Sequence, residues 1–284
     1  ALLRGFAGAR KRDRPRGGAS RQPPWPGERF RRPRMSSPAA PYAETSLGAT
    51  QRRDAWWIEP LLIGLYLGLF GVYSTWAALQ GEHYQSGPYL SPFYSPLILL
   101  DWWSWSPAIL ILWAPLGFRA TCYYYRKAYY RAYFLDPPAC AVGEARSHRY
   151  CGETSFPFVL QNLHRYFLIP ALLLLVFLWH DVVKACRFED GFGIGMGTLV
   201  LFANAFLLTF YTLSCHSLRH LVGGDVDCFS CAALGSARLG AWKSVSALNR
   251  HHMLWAWLSL TSVGFADLYV RLVSMGIWRD LRLL

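Results

Sequence analysis

The segment FVLQNLHRYFLIPALLLLVFLWHDVV, residues 158–183, is apolar over the length that a helix needs to cross a bilayer. A hydrocarbon core of about 30 Å takes about 20 predominantly apolar residues in a helix. The rest of the chain is similar in character, because 53% of all residues are hydrophobic and only 16% are charged. This is more apolar side chain than a soluble domain of this size needs, and it predicts a helical membrane protein.

Four other segments have comparable length and hydropathy, and no internal repeat relates the five. Trp, Tyr and Phe make up 16% of the chain, as is typical of proteins whose aromatic side chains lie at membrane interfaces. We therefore predict an all-α membrane protein with a five-helix transmembrane domain over residues 41–284. Its spans are expected at about 58–79, 97–118, 158–183, 193–218 and 252–274.

Residues 1–40 are rich in Arg, Pro and Gly and contain no apolar run that could insert or build a core. This composition predicts a disordered basic tail. Only Asp13 and Glu28 oppose its basic side chains, so most of the formal net charge of +12 belongs to the tail and does not indicate a nucleic-acid partner. The chain begins without Met, and Met35 precedes a more ordinary stretch, so residues 1–34 are candidates for untranslated upstream sequence.

The connections between the spans differ in charge, and this difference predicts the orientation. Lys and Arg are frequent before span one, between spans two and three, and between spans four and five, whereas residues 81–96 contain neither. Because cytoplasmic loops are enriched in Lys and Arg, we expect a multi-pass protein of the bacterial cell membrane with its N-terminus in the cytoplasm and its C-terminus outside.

Cysteine and histidine side chains gather at the predicted cytoplasmic ends of the spans. Thiols stay reduced in the cytoplasm, and reduced thiols beside imidazoles at one depth are candidate metal ligands. His216 and His220 are four residues apart, so on a continuous helix they share one face. The candidate ligands are Cys122, Cys140, Cys215, His164, His216 and His220.

Two related features carry less weight. His180 lies about 24 Å from His164 along the predicted helix, at the opposite interface, where a hydrogen-bonded histidine is more common than a ligand. The motif Cys228-Phe229-Ser230-Cys231 lacks the second Cys pair of a zinc site and predicts two free thiols in a loop.

Four motifs carry a resemblance to a known family. They are GFRATCYYYRKAYYR at 117–131, PPACAV at 137–142, LQNLHRYF at 160–167 and YTLSCHSLRH at 211–220. In these motifs the chain resembles the membrane-anchor, cytochrome-b-like subunit of an actinobacterial type of succinate dehydrogenase. The resemblance runs from about Trp56 to His220.

The resemblance implies an anchor that holds a flavoprotein subunit and an iron-sulfur subunit, which carry the flavin and dicarboxylate chemistry of a succinate:quinone oxidoreductase. It further implies that electrons reach menaquinone through a membrane-embedded Rieske-type 2Fe-2S cluster. Such a cluster takes two thiolates on one iron and two imidazoles on the other. The six candidates supply both kinds of ligand, and four of them would be required.

A quinone site should lie near the metal centre and offer hydrogen-bond donors beside an apolar slot. Side chains at the appropriate depth are Arg165, Tyr166, Arg126, Trp56 and Trp57.

Two alternatives remain open at this point. One is a haem b held between His164 and either His216 or His220. The other is a polytopic transporter with a structural metal site, for which the deepest acidic residue within a span is Asp267.

Overall fold

The computed structural model describes residues 46–144, 154, 156–224 and 226–284, so the predicted tail over residues 1–40 lies outside the described part. The prediction of an all-α membrane protein is confirmed. The helices are α1 (Ile58–Gln80), α2 (Ile109–Ala120), α3 (Tyr123–Tyr129), α4 (His164–Lys184), α5 (Met196–Leu213), α6 (His216–Arg219), α7 (Gly235–Asn249) and α8 (His252–Ser274).

Four helices of the described chain are long and apolar enough to cross a membrane, namely α1, α5, α8 and α4 with the 3-10 turn Phe158–Leu163 that precedes it. The fifth apolar helix, α2, has only 12 residues, and at 1.5 Å per residue it extends about 18 Å. The expected five full-length spans are therefore four long helices and one short one.

The predicted second span, 97–118, needs correction because residues 97–108 are not helical. Pro107 lacks an N–H and disfavours a helical conformation at the residue before it. The Ser106 hydroxyl and carbonyl instead accept hydrogen bonds from the backbone N–H of Ala108 (3.4 Å) and Ile109 (3.2 Å) and so begin α2. Hydropathy alone did not detect this helix start.

The centre of the bundle is formed by α5 packed on α8, with α4 against α5 and α2 against α4. Helix α1 is held near Ile58 by the π-helical turn Tyr130–Phe134, whose Tyr133 hydroxyl donates to the Gly64 carbonyl at 2.6 Å. Near Gln80, Ala77 and Ala78 are buried against the loop before α2, whereas Leu65, Leu69 and Val72 in the middle of the helix are exposed. We refer below to the Ile58 end and the Gln80 end of the bundle.

Two antiparallel hairpins and the C-terminal segment close the Gln80 end. Strand β1 (Gln85–Ser86) pairs with β2 (Tyr89–Leu90), and β3 (Arg187–Phe188) pairs with β4 (Gly191–Phe192). The Asp280 carboxylate accepts the Gly197 N–H in the first turn of α5 at 2.8 Å. A carboxylate at a helix N-terminus is stabilised by the helix dipole, so Asp280 fastens the C-terminal segment to the bundle.

A buried ion pair lies at the same end of the bundle. Asp267 and Arg271, one turn apart on α8, are essentially inaccessible to solvent, and their side chains are 3.4 Å apart. Asp267 also accepts hydrogen bonds from the hydroxyls of Tyr73, at 2.6 Å, and Ser91. Arg271 donates to the Glu82 carbonyl at 2.9 Å. The acidic residue that the transporter alternative singled out thus joins α1, α8 and the loop between α1 and α2.

Removing this carboxylate should destabilise the protein strongly. In Asp267→Ala the Arg271 charge stays buried without its partner, and breaking such a pair costs about 3–5 kcal/mol. We expect the unfolding temperature in detergent to fall by roughly 6 °C or more. The matched control is Asp101→Ala at an exposed loop position, which should leave the temperature unchanged. Equal stability of the two variants would contradict this role of Asp267.

Candidate metal centre

Four metal-ligating side chains meet at the Ile58 end of the bundle, each at the start of a helix. Cys122 and Cys215 are the N-caps of α3 and α6, and His164 and His252 are the first residues of α4 and α8. His164 Nε2 lies 3.1 Å from Cys215 Sγ, and His252 Nε2 lies 3.5 Å from Cys122 Sγ. We call these four residues the donor cluster.

The two cysteines owe their position to two similar helix breaks. Cys122 (φ −68°, ψ 131°) lies between α2 and α3, and Cys215 (φ −63°, ψ 138°) lies between α5 and α6. Both residues have extended backbone, so each one ends a helical path and starts the next, shorter helix. The Cys215 sulfur accepts the Ser217 N–H at 3.3 Å, as an N-cap side chain does. Burial raises the pKa of the Cys122 thiol and raises that of Cys215 to about 11, so both side chains are protonated thiols at neutral pH.

A hydroxyl residue precedes each cysteine and orients the histidine that contacts the other cysteine. The Thr121 hydroxyl donates to the Gly117 carbonyl at 2.6 Å and lies 3.1 Å from His164 Nδ1. A hydroxyl whose hydrogen is already committed accepts from the ring, so Nδ1 of His164 carries the proton. Its Nε2 lone pair is therefore directed into the donor cluster.

The second half of the cluster repeats this arrangement. The Ser214 hydroxyl donates to the Tyr211 carbonyl at 3.0 Å and lies 2.6 Å from His252 Nδ1. By the same argument His252 is protonated on Nδ1 and has a free lone pair on Nε2. Two Ser/Thr-Cys dipeptides, Thr121-Cys122 and Ser214-Cys215, thus hold the two imidazoles in equivalent tautomers.

The surroundings of the donor cluster are apolar and aromatic. The Phe118 ring stacks on His164 with centroids 4.5 Å apart, and the Tyr211 ring stacks on His252 with centroids 5.2 Å apart. Tyr211 is fully buried, and its side chain hydrogen-bonds with the Cys122 thiol.

Three of the six ligands predicted from the sequence, Cys122, His164 and Cys215, belong to the donor cluster. Cys140 does not, because it is exposed and its carbonyl accepts a hydrogen bond from Arg52 at 2.9 Å. His216 and His220 are also exposed. The expectation that the fourth span continues to residue 218 was wrong, since α5 ends at Leu213 and a new helix begins after the extended residue Cys215.

His252 is the ligand candidate that the sequence analysis missed. His252 is the first residue of α8, as it is of the predicted fifth span, and it is 2% exposed. The repeated Ser/Thr-Cys dipeptide is a sequence feature that could have indicated this histidine. Each dipeptide hydroxyl contacts one histidine, Thr121 contacting His164 and Ser214 contacting His252.

The remaining predicted residues lie apart from the donor cluster. Arg165, Tyr166 and Trp57 are exposed, and the buried Arg126 stacks its guanidinium over Tyr123 at 4.9 Å. Trp56 is half-buried near Cys140. Cys228 and Cys231 are joined by a disulfide, so the prediction of two free thiols was wrong.

Within the described ranges, no three His, Cys, Asp or Glu side chains converge on one point as the ligands of a single metal ion would. The donor cluster consists instead of two Cys–His contacts. A structural zinc ion needs about four donors within 2.0–2.3 Å of one centre. The geometry therefore does not resemble a single-ion site.

A helical bundle with four apolar helices of membrane-spanning length in its described part defines an integral-membrane protein. The chain belongs to the family of the actinobacterial succinate dehydrogenase subunit SdhC, whose model matches residues 58–276. It is thus a plasma-membrane subunit of a succinate:quinone oxidoreductase.

A solved structure agrees with the family assignment. The chain is similar to a chain of the Mycobacterium smegmatis Sdh1 complex in the apo form, with 42% sequence identity and a TM-score of 0.74. The match covers 83% of this chain and 94% of that chain. A search of curated proteins gave no significant match.

Proposed function

We propose that this anchor binds a Rieske-type 2Fe-2S cluster through the donor cluster and passes electrons from the iron-sulfur subunit of its complex to menaquinone. The flavoprotein subunit would carry the flavin and dicarboxylate chemistry. The observation that carries the proposal is a pair of Cys–His contacts, from four helix starts, whose two cysteines pack in the same apolar core.

The donor set fits this cluster better than it fits a single ion. Cys122 and Cys215 would supply the two thiolates, and His164 and His252 the two imidazoles. When bound, the cluster supplies a one-electron carrier of higher potential than an all-Cys cluster. The protonated Nδ1 atoms, fixed by Thr121 and Ser214, leave both Nε2 atoms available as ligands.

Haem b is the alternative cofactor, and the structure gives it less support. A haem between His164 and His216 or His220 requires two facing imidazoles, yet His216 and His220 are exposed. One face of the His164 ring is covered by Phe118, with ring centroids 4.5 Å apart, and its Nε2 contacts Cys215. A haem held by two histidines would also leave Cys122 and Cys215 without a role. The transporter alternative is weaker still, because Asp267 is engaged in a buried ion pair.

We further propose that the donor cluster lies on the cytoplasmic side, with the N-terminus inside and the C-terminus outside. The positive charge of the connections supports this orientation, because Arg119, Arg126, Lys127 and Arg131 all lie at the Ile58 end of the bundle. The iron-sulfur subunit would then dock beside the donor cluster.

The proposal is tested on the whole complex, purified in mild detergent. Low-temperature EPR of the reduced sample should show a Rieske-like signal of low average g, and a pyridine haemochrome spectrum should show no haem. Signals of the iron-sulfur subunit are recorded in the same sample as an internal standard. A haem band without the Rieske-like signal, or the absence of both, would overturn the proposal.

The hydroxyls that hold the imidazoles should matter for metal retention. We expect Thr121→Val, which keeps the shape and removes the hydroxyl, to lower the affinity for the cluster by about 10-fold to 100-fold, as loss of an outer-shell partner does, and so to lower its occupancy. The conservative variant Thr121→Ser should restore it. Iron and sulfide analysis measures the occupancy, and full occupancy in Thr121→Val would contradict the tautomer argument.

A further inference from the structure

The connection between α5 and α8, at the Ile58 end of the bundle, contains two cysteines that the donor cluster does not use. Cys228 and Cys231 form a disulfide across the 3-10 turn Phe229–Cys231, and both residues are exposed. The Ser230 hydroxyl lies 3.2 Å from Cys228 Sγ. A disulfide sulfur carries no hydrogen, so Ser230 is the donor, and it would stabilise a thiolate formed at Cys228. The disulfide is therefore open to attack by a thiolate from solution.

The compartment in which this disulfide lies bears on its role. The same connection contains Arg219, Arg238 and Lys243, and we have proposed on such charges that the Ile58 end is cytoplasmic. The cytoplasm keeps most thiols reduced, and the disulfides that do form there are usually transient ones with a catalytic or sensing role. If the proposed orientation holds, the disulfide is thus expected to open and close rather than to act as a permanent cross-link.

The residue that follows Cys228 fixes the disulfide loop to the rest of the connection. The Phe229 ring packs against Trp242 of α7, with centroids 6.3 Å apart. The backbone of Gly223 approaches both rings so closely that a Cβ on it would lie 2.9 Å from each of them. A side chain at this glycine would therefore push the loop away. The closed loop fits tightly against α7 and the turn that follows α6.

Contacts of α6 and α7 continue from the loop to the donor cluster. The Arg219 guanidinium of α6 lies 4.9 Å from the centroid of the Trp242 ring. At the other end of α7 the Asn249 side chain donates to the Ser214 carbonyl at 2.7 Å. The hydroxyl of the same serine contacts His252 Nδ1. The loop, α6 and α7 thus form one packed unit that ends beside a proposed ligand, so a change at the disulfide can reach the donor cluster.

We propose that Cys228 and Cys231 form a thiol–disulfide exchange site for a cytoplasmic protein with two neighbouring thiols, and that opening the disulfide loosens α6 beside the donor cluster. The exchange is separate from the electron transfer proposed above, and it rests on the proposed orientation alone.

The exchange takes two steps. A partner thiolate attacks Cys231 Sγ, the S–S bond breaks, and Cys228 leaves as a thiolate beside Ser230 and takes up a proton. The second thiolate of the partner then attacks the partner sulfur of the mixed disulfide, and Cys231 is released and protonated in turn. The loop gains two electrons and two protons, and the partner loses the same and becomes a disulfide. The reverse steps close the loop.

The exchange is tested on the whole complex in mild detergent, with reduced thioredoxin as the dithiol probe. Differential alkylation and mass spectrometry of the loop peptide count its free thiols. Thioredoxin should convert the disulfide into two free thiols, whereas a thioredoxin variant without its second cysteine should stop at a mixed disulfide on Cys231. Ser230→Ala should slow the opening severalfold, and the control Ser236→Ala, at an exposed position of α7, should not. A disulfide that resists thioredoxin, or a reduced loop that oxidised thioredoxin does not close, would overturn the proposal.

The side of the membrane is tested with a membrane-impermeant maleimide on inverted membrane vesicles and on intact cells. Two further cysteines serve as markers, since Cys140 is exposed at the Ile58 end and Cys186 lies at the Gln80 end. In inverted vesicles the reagent should label Cys140 and, after reduction, Cys228 and Cys231, whereas Cys186 should react only after detergent is added. Labelling of the pair from the outside of intact cells would place the disulfide in an oxidising compartment and overturn the proposal.

The effect of opening is measured by hydrogen exchange of the backbone amides. Reduction by thioredoxin should speed exchange over residues 216–224 severalfold and leave α1, as the internal reference, unchanged. The double variant Cys228→Ser/Cys231→Ser should show the faster exchange without any reductant. Unchanged exchange over residues 216–224 in both samples would overturn the link between the disulfide and α6.

The exchange site and the proposed 2Fe-2S cluster fail separately. EPR of the double variant should retain the Rieske-like signal, because neither cysteine belongs to the donor cluster. A wild-type complex whose loop is opened by thioredoxin but which lacks that signal would refute the cluster alone. A normal signal with a disulfide that resists thioredoxin would refute the exchange site alone.

Discussion

Replacing His252 with alanine is expected to abolish the Rieske-like EPR signal and succinate-driven menaquinone reduction. His252 Nε2 lies 3.5 Å from Cys122 Sγ, and its Nδ1 is fixed by Ser214 at 2.6 Å, so its side chain is already positioned as a ligand. The cluster needs two imidazoles on one iron, and in the described chain His164 and His252 are the histidines that contact the thiols.

The matched control is His251→Ala, one residue earlier and exposed, which should retain both the signal and the activity. His220→Ala should behave in the same way, although the sequence analysis had proposed His220 as a ligand. Dye reduction by the partner subunits checks that each complex assembles. A normal EPR signal in His252→Ala would refute the ligand assignment, and loss of the signal in His220→Ala would restore the original one.

The second large effect is expected from the thiols. Cys122→Ser and Cys215→Ser should each abolish the signal, because a serine hydroxyl does not replace a soft thiolate ligand of an iron-sulfur cluster. Cys140→Ser should leave the signal intact, since Cys140 is exposed away from the donor cluster. All three variants replace a cysteine sulfur with an oxygen, so a difference between their EPR signals reflects the position of the cysteine.

Iron and sulfide analysis of the same samples separates loss of the cluster from a change in its spectrum. The signals of the iron-sulfur subunit in each variant give the amount of assembled complex. Retention of the Rieske-like signal in either Cys122→Ser or Cys215→Ser would contradict the donor cluster, as would its loss in Cys140→Ser.

The sequence by itself determined the membrane class, the long helices and the family. Apolar length is a local property, so α1, α5 and α8 could be located without knowledge of their neighbours. The motifs around Cys122, His164 and Cys215 are also local, and all three residues joined the donor cluster.

Tertiary structure alone decided the fourth candidate ligand. His252 lies 130 residues after Cys122, and their contact depends on where two helix breaks and the start of α8 meet in space. The same breaks turn His216 and His220 outwards, although their spacing suits one helix face. A ligand set is a property of distances between segments, whereas hydropathy and spacing describe each segment by itself.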